Sequence, residues 1–173
     1  QDLLALAVEA SGNAPAESLR FAQLMAQQQK YRSAEEVLVS ALRASPGNMQ
    51  LLSALGDIHL RSGDWARVQQ VEASLRRLGT EQGAQLADNF QLQRIAGRDG
   101  AAEATSFLQS LVESNEGNTA ARIALIQAKL RENANDEALT LAQKLASDFP
   151  DDTVAQLVLG NTEFAISDFD SAK

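Results

Sequence analysis

The chain has 173 residues, 45% of them apolar and 22% charged, a globular composition with enough apolar side chains for a sizeable core. It contains no cysteine, which excludes a disulfide framework, thiolate metal ligation and a cysteine nucleophile. Its formal charge of −8 has the wrong sign for a nucleic-acid partner, whose phosphates call for a basic stripe.

Residues 1–80 carry eight Lys+Arg and eight Asp+Glu, whereas 81–173 carry seven and fifteen, so long-range electrostatic steering belongs to the second half. Aromatic residues make up only 5%, which favours helices packed through small and aliphatic side chains over a β-sandwich. No stretch approaches the roughly 18 apolar residues of a membrane span. The opening QDLLALAVEAS has no basic region ahead of its apolar stretch, so it reads as the end of an amphipathic helix and not as a signal peptide. Any targeting segment is then expected outside this chain. The glutamine-rich, cysteine-free composition is associated with bacterial proteins and leaves cytoplasm and periplasm equally open.

In chain order, helical periodicity runs over 2–10, closed by Ser11, Gly12 and Asn13, and resumes at 15–29 with Pro15 in the first turn. A third pattern at 33–44 stops at Ser45, Pro46, Gly47 and Asn48, because proline cannot continue a helix and glycine offers a left-handed cap. Helices follow at 49–61 and 65–78, then at 82–96 and 101–114 around a turn at 97–100. The last patterns are 119–132, 136–147, 153–166 and a beginning from 169. Eleven helices are expected, the first and last incomplete. Gly56, midway along its helix, costs roughly 1 kcal/mol against alanine and predicts that another backbone passes close.

These patterns repeat. A small residue recurs early in each second helix at Ala34, Val68, Ala104, Ala138 and Ala172, at spacings of 34, 36, 34 and 34. The two-residue excess falls between Leu75 and Gln91 and is most simply a longer loop at 80–83.

Taken together, these residues resemble the tetratricopeptide repeat, a 34-residue helix–turn–helix unit. One unit matches at Leu52, Leu55, Gly56, His59, Gly63, Asp64, Trp65, Val68 and Leu75; the unit before it matches at Phe21, Ala22, Met25, Tyr31, Ala34, Leu38, Ala41 and Pro46. Later matches are Leu125, Ala138, Leu145 and Pro150, then Leu159, Gly160, Asp168, Phe169 and Ala172. The third unit is the poorest, with Gln91 and Leu92 where a large apolar and a small residue are preferred. The resemblance implies an all-α fold, a right-handed α-α superhelix or solenoid of helical hairpins, as a single array. Full repeats are expected at 15–48, 49–84, 85–118 and 119–152, with 1–14 the second helix of a truncated repeat and 153–173 the start of another. Uncapped ends leave self-association open.

Chemistry finds little support. The sole histidine, His59, stands where the family usually places an aromatic packing residue and has no second histidine or cysteine to join it. Glu35 with Glu36 and Asp151 with Asp152 are sequence neighbours that do not share a helix face. Trp65, Tyr31 and Phe169 share one register and read as hairpin core. No phosphate loop, nucleophile elbow or zinc spacing occurs. The chain is therefore expected to be non-enzymatic, with no cofactor and no metal.

The resemblance implies a protein–protein interaction scaffold binding a peptide segment or partner protein in a concave groove lined by the first helices. The alternatives are a structural or assembly module of a larger bacterial envelope complex, in polysaccharide export or secretion, and an accessory domain of a larger enzyme. The middle of each first helix presents Gln23, Asp57, Gln93, Gln127 and Asn161, a ladder whose amides offer donor and acceptor to an extended peptide backbone. Leu60, Leu130 and Phe164 are candidate apolar anchors, flanked by Arg61, Asn89, Ile123 and Arg131. The lysine- and asparagine-rich clamp of the family's chaperone-binding members is not met.

Overall fold

The computed structural model describes residues 6, 8 and 10–171, with the side chains of 168–171 set aside. The expected helix at 2–10 falls largely outside the described residues, as do Ala172 and the Phe169 side chain. Nine helices and no strand are found among the described residues: α1 (Pro15–Gln27), α2 (Tyr31–Ala44), α3 (Met49–Ser62), α4 (Trp65–Arg77), α5 (Glu81–Arg98), α6 (Ala101–Ser114), α7 (Thr119–Arg131), α8 (Asn135–Asp148) and α9 (Thr153–Ser171). The chain divides into two compact units, Gln1–Arg98 with α1–α5 and Asp99–Lys173 with α6–α9.

The linkers stop one helix and start the next. Asn48 accepts a hydrogen bond from the Leu51 amide at 3.1 Å, Asn118 one from the Ala121 amide at 3.0 Å, and Asp152 one from the Val154 amide at 2.8 Å. Each satisfies a backbone donor that the first turn of a helix leaves orphaned. Asp64 does the same within a hairpin, accepting from the Arg67 amide at 3.2 Å.

In the first unit the recurring small residues make close packing possible. Ala22, Ala34, Ala41 and Val68 are buried, with Met25, Leu38, Leu51, Leu55, Ile58, Leu75 and Phe90 filling the space between them. Gly56 belongs to this pattern for a different reason from the expected one. A Cβ there would come within 2.5 Å of the Phe90 ring, so the close neighbour is an aromatic side chain from α5 and not a backbone. Phe90 also explains the weak match at Gln91 and Leu92, which are half-buried while Phe90 takes the deep position beside them.

The joint between α4 and α5 overturns the expected longer loop. Its linker, 78–80, is three residues, against four at 45–48, 115–118 and 149–152. The excess lies in α5, which has 18 residues against 13, 14 and 13 in α1, α3 and α7. Counted back by 34 residues from Thr119, α5 would begin at 85; it begins at Glu81, one extra helical turn. Thr80 caps that turn through the Gly83 amide at 3.1 Å. A Cβ on Gly83 would stand 2.7 Å from the Leu75 carbonyl oxygen, so only glycine lets α5 start this close to α4. At its other end α5 runs two residues into the turn expected at 97–100, ending at Arg98, and a Cβ on Gly97 would stand 2.7 Å from the Trp65 ring.

A buried ion pair ties the same joint. The Arg94 guanidinium donates through Nε to Glu72 Oε1 at 2.7 Å and through Nη2 to Oε2 at 3.3 Å, with side chains 10% and 4% exposed. One repeat earlier these positions hold Leu38 and Ile58; later they hold Leu108 with Ala128 and Ala142 with Thr162, all buried.

The second unit is built around Ile126, Ala138, Ala142, Leu145 and Ala155, with Ile123, Leu130, Phe149 and Leu159 packed against them. Buried Arg122 pairs with Asp148 Oδ2 at 2.7 Å and lies over the Phe149 ring at 5.7 Å, fixing α7 to the end of α8. Thr105 donates to Glu132 Oε1 at 2.6 Å, tying α6 to the end of α7. Gly160, equivalent in register to Gly56, has nothing within 4 Å of an added Cβ.

Candidate peptide-binding groove

Six of the twelve residues expected to bind a partner, Gln23, Asp57, Leu60, Arg61, Asn89 and Gln93, fall in the first unit. On α1, Gln23 and Gln27 are four residues apart and share a face; on α3, Asp57 and Arg61 do the same. Between these faces lies a groove of about 200 Å³ lined by Ala22, Gln23, Ala26, Gln27, Ala54, Asp57, Ile58 and Arg61. Three alanines keep the floor low, and two amides, one carboxylate and one guanidinium form the rim. All four rim side chains are exposed.

Partial burial raises the Asp57 carboxyl above the usual carboxylate range, and the nearby Arg61 charge pulls it back down. No Asp57–Arg61 ion pair forms among the described residues, so both groups are free to meet a ligand. Leu60 is half-buried and packed on the core, while Asn89 and Gln93 are exposed on α5. In the second unit Gln127 and Arg131 are exposed on α7, and Arg131 Nε donates to the Gln127 carbonyl at 3.3 Å. Ile123 and Leu130 pack against that unit's core. On α9, Asn161 is exposed, and Phe164 is 72% exposed.

Reasoning from the sequence missed two open clefts of the first unit, on the face of α3 turned away from Asp57. One, of about 530 Å³, runs between α2 and α4 over Leu52 and Leu55. The other, of about 590 Å³, is polar and lined by Glu35, Asp64 and Arg67 among others. His59, 4% exposed, lines both. Burial lowers its pKa, with Glu35 and Asp64 opposing and Arg67 reinforcing the shift, so the ring is neutral at neutral pH. In α7 the same register holds Lys129, which pairs with Glu137 at 2.7 Å beside a cleft of about 470 Å³ between α6 and α8. The signal for these clefts was available in the recurrence of a polar residue, His59 or Lys129, on an otherwise apolar stripe.

Among the described residues no cluster of three or more histidine, cysteine, aspartate or glutamate side chains is placed to hold a metal ion. Among them, too, no helix is long and apolar enough to cross a membrane.

Family profiles for the tetratricopeptide repeat match residues 19–67 and 100–172, together more than half of the chain. No curated protein matches the sequence. Among solved structures, YrrB, described as a TPR protein with an unusual peptide-binding site, is similar with a TM-score of 0.53 and 19% identity, over 92% of this chain and 81% of that one. The MamA protein is similar with a TM-score of 0.45 and 18% identity, over 91% and 87%. The chain belongs to the tetratricopeptide repeat family, whose all-α helical hairpins act as protein-interaction scaffolds and are generally without catalytic activity.

Proposed function

We propose that the chain binds an extended peptide segment of a partner protein in the groove between α1 and α3. The observation that carries this reading is that one groove gathers Gln23, Gln27, Asp57 and Arg61 around an alanine floor, with none of the four in an ion pair among the described residues. The two amides each supply a donor and an acceptor, which suits a peptide backbone whatever its side chains. Asp57 receives an amide donor or a positive charge, and Arg61 a carbonyl or carboxylate. In the same reading Gln93 on α5 extends the series within the first unit, and Gln127 and Asn161 are its counterparts on the first helices of the second. That YrrB is described as having a peptide-binding site is in keeping with this use of the fold.

The test is affinity capture of partners with the chain and with a variant carrying Gln23→Ala, Asp57→Ala and Arg61→Ala. These side chains are exposed, so the variant keeps its fold and helical signal. Loss of three polar contacts weakens binding by about tenfold or more. If every captured partner binds the variant as tightly as the parent, the groove is not the site.

A further inference from the structure

Between α2 and α4 the first unit carries a second surface that the groove reading leaves unused. Its floor is apolar, formed by Leu52, Leu55 and Val71 with Leu42 and Leu78 at the edges, and its volume of about 530 Å³ is that of a ligand site. The wall on α4 is the stripe Arg67, Gln70, Ser74 and Arg77, about 15 Å long at the helical rise.

The two arginines at the ends of this stripe differ. Arg67 bonds to Glu35 across on α2 and to Asp64 at 3.4 Å, so its charge is spoken for. Among the described residues Arg77 donates to the Ala73 carbonyl at 3.3 Å and to Ser74 Oγ at 2.9 Å, neither of them a carboxylate. Among the described residues it has no carboxylate partner, a cation at the rim of an apolar cleft.

In the floor lies His59, more than nine-tenths buried, its ring edge turned into the cleft. Neutral histidine offers one donor and one acceptor, the complement of a peptide unit.

We infer that this cleft is a second binding site, for a peptide segment in which a large apolar side chain is followed by an acidic one: the apolar side chain fills the floor over Leu52, Leu55 and Val71, the peptide backbone bonds to His59, and the carboxylate pairs with Arg77. On α3 His59 is two residues from Asp57, about 200° around the helix, so the site is independent of the α1–α3 groove and does not require it to function.

The test uses a fixed panel of N-acetylated, C-amidated hexapeptides with a central Phe-Asp, Leu-Asp, Phe-Asn or Leu-Asn pair. His59 is the chain's one histidine, so its ring resonances in a nitrogen–proton spectrum are unambiguous; they report the two clefts it lines, and Arg77, which lines only this one, assigns the response to it. The aspartate peptides should shift those resonances on titration. Binding should weaken about tenfold when aspartate is exchanged for asparagine, or when the exposed Arg77 is replaced in Arg77→Gln. It should be unchanged in Gln69→Ala, an exposed position of α4 outside the cleft. The inference is overturned if no panel member moves the ring resonances or if Arg77→Gln binds the aspartate peptides like the parent. It is equally overturned if the resonances move with protein concentration alone, which would make a second copy of the chain the occupant.

Discussion

Replacing Arg94 with methionine keeps most of the side chain's volume and removes its charge, leaving the Glu72 carboxylate 4% exposed and without a partner. The bond it loses is bidentate, at 2.7 and 3.3 Å. Two unit charges about 4 Å apart at an effective dielectric near 20 attract by about 4 kcal/mol. Measured losses on breaking one side of a buried pair are about 3–5 kcal/mol, so the two estimates agree. Removing the second charge as well, in Glu72→Leu with Arg94→Met, restores an apolar contact of the kind that Leu38 and Ile58 make one repeat earlier, and most of the loss should return. Urea unfolding followed by helical circular dichroism measures both, with the double-mutant cycle isolating the coupling. A single-variant cost below about 1 kcal/mol would place the pair with solvent-screened surface bridges. A double variant no more stable than Arg94→Met would refute the argument altogether.

The two glycines of equivalent register should respond with opposite signs. Gly56→Ala drives a methyl into the Phe90 ring and should destabilise by about 1–3 kcal/mol, whereas Gly160→Ala meets open space and should stabilise by about 0.5–1 kcal/mol through helix propensity; urea midpoints decide both. His59 makes stability pH-dependent. Its folded pKa lies below the ordinary 6.5, so the unfolded chain takes up a proton more readily, and its contribution is present above that value and lost as the pH falls through it. His59→Phe should therefore gain on the parent as the pH is lowered from about 7.5 to about 5.5, and a difference independent of pH would refute the assignment.

The hairpin architecture was legible because its determinants are local and repeat: Ala34, Val68, Ala104 and Ala138 mark the tight crossings, and the linkers ending in Asn48, Asn118 and Asp152 mark the starts of new helices. The joint at α4 and α5 was not, because a two-residue excess has the same length whether it is spent in a loop or in an extra helical turn. What decides is Gly83, whose missing Cβ admits the Leu75 carbonyl, a contact visible only in three dimensions. Glu72 and Arg94 each break an apolar stripe and could be flagged singly, but their pairing needs the packing of α4 on α5. At the groove, the spacing of Gln23 and Asp57 put both on first helices, and the alanine floor that turns them into two sides of one cavity followed from the fold. His59 was read as packing; burial agrees with that, but the cleft beside it is not a sequence property.

The Glu72–Arg94 pair also bears on how such a chain keeps its modules in order. Contacts built from leucine and alanine are nearly interchangeable, so a duplicated hairpin or one from a second chain can mate with any of them. The α4–α5 joint is different: its α4 side carries a negative charge that only an arginine-bearing neighbour neutralises, and an apolar neighbour would strand that charge in the interior. The buried carboxylate therefore favours a neighbour that brings a cation, and it sits where the 34-residue rhythm breaks.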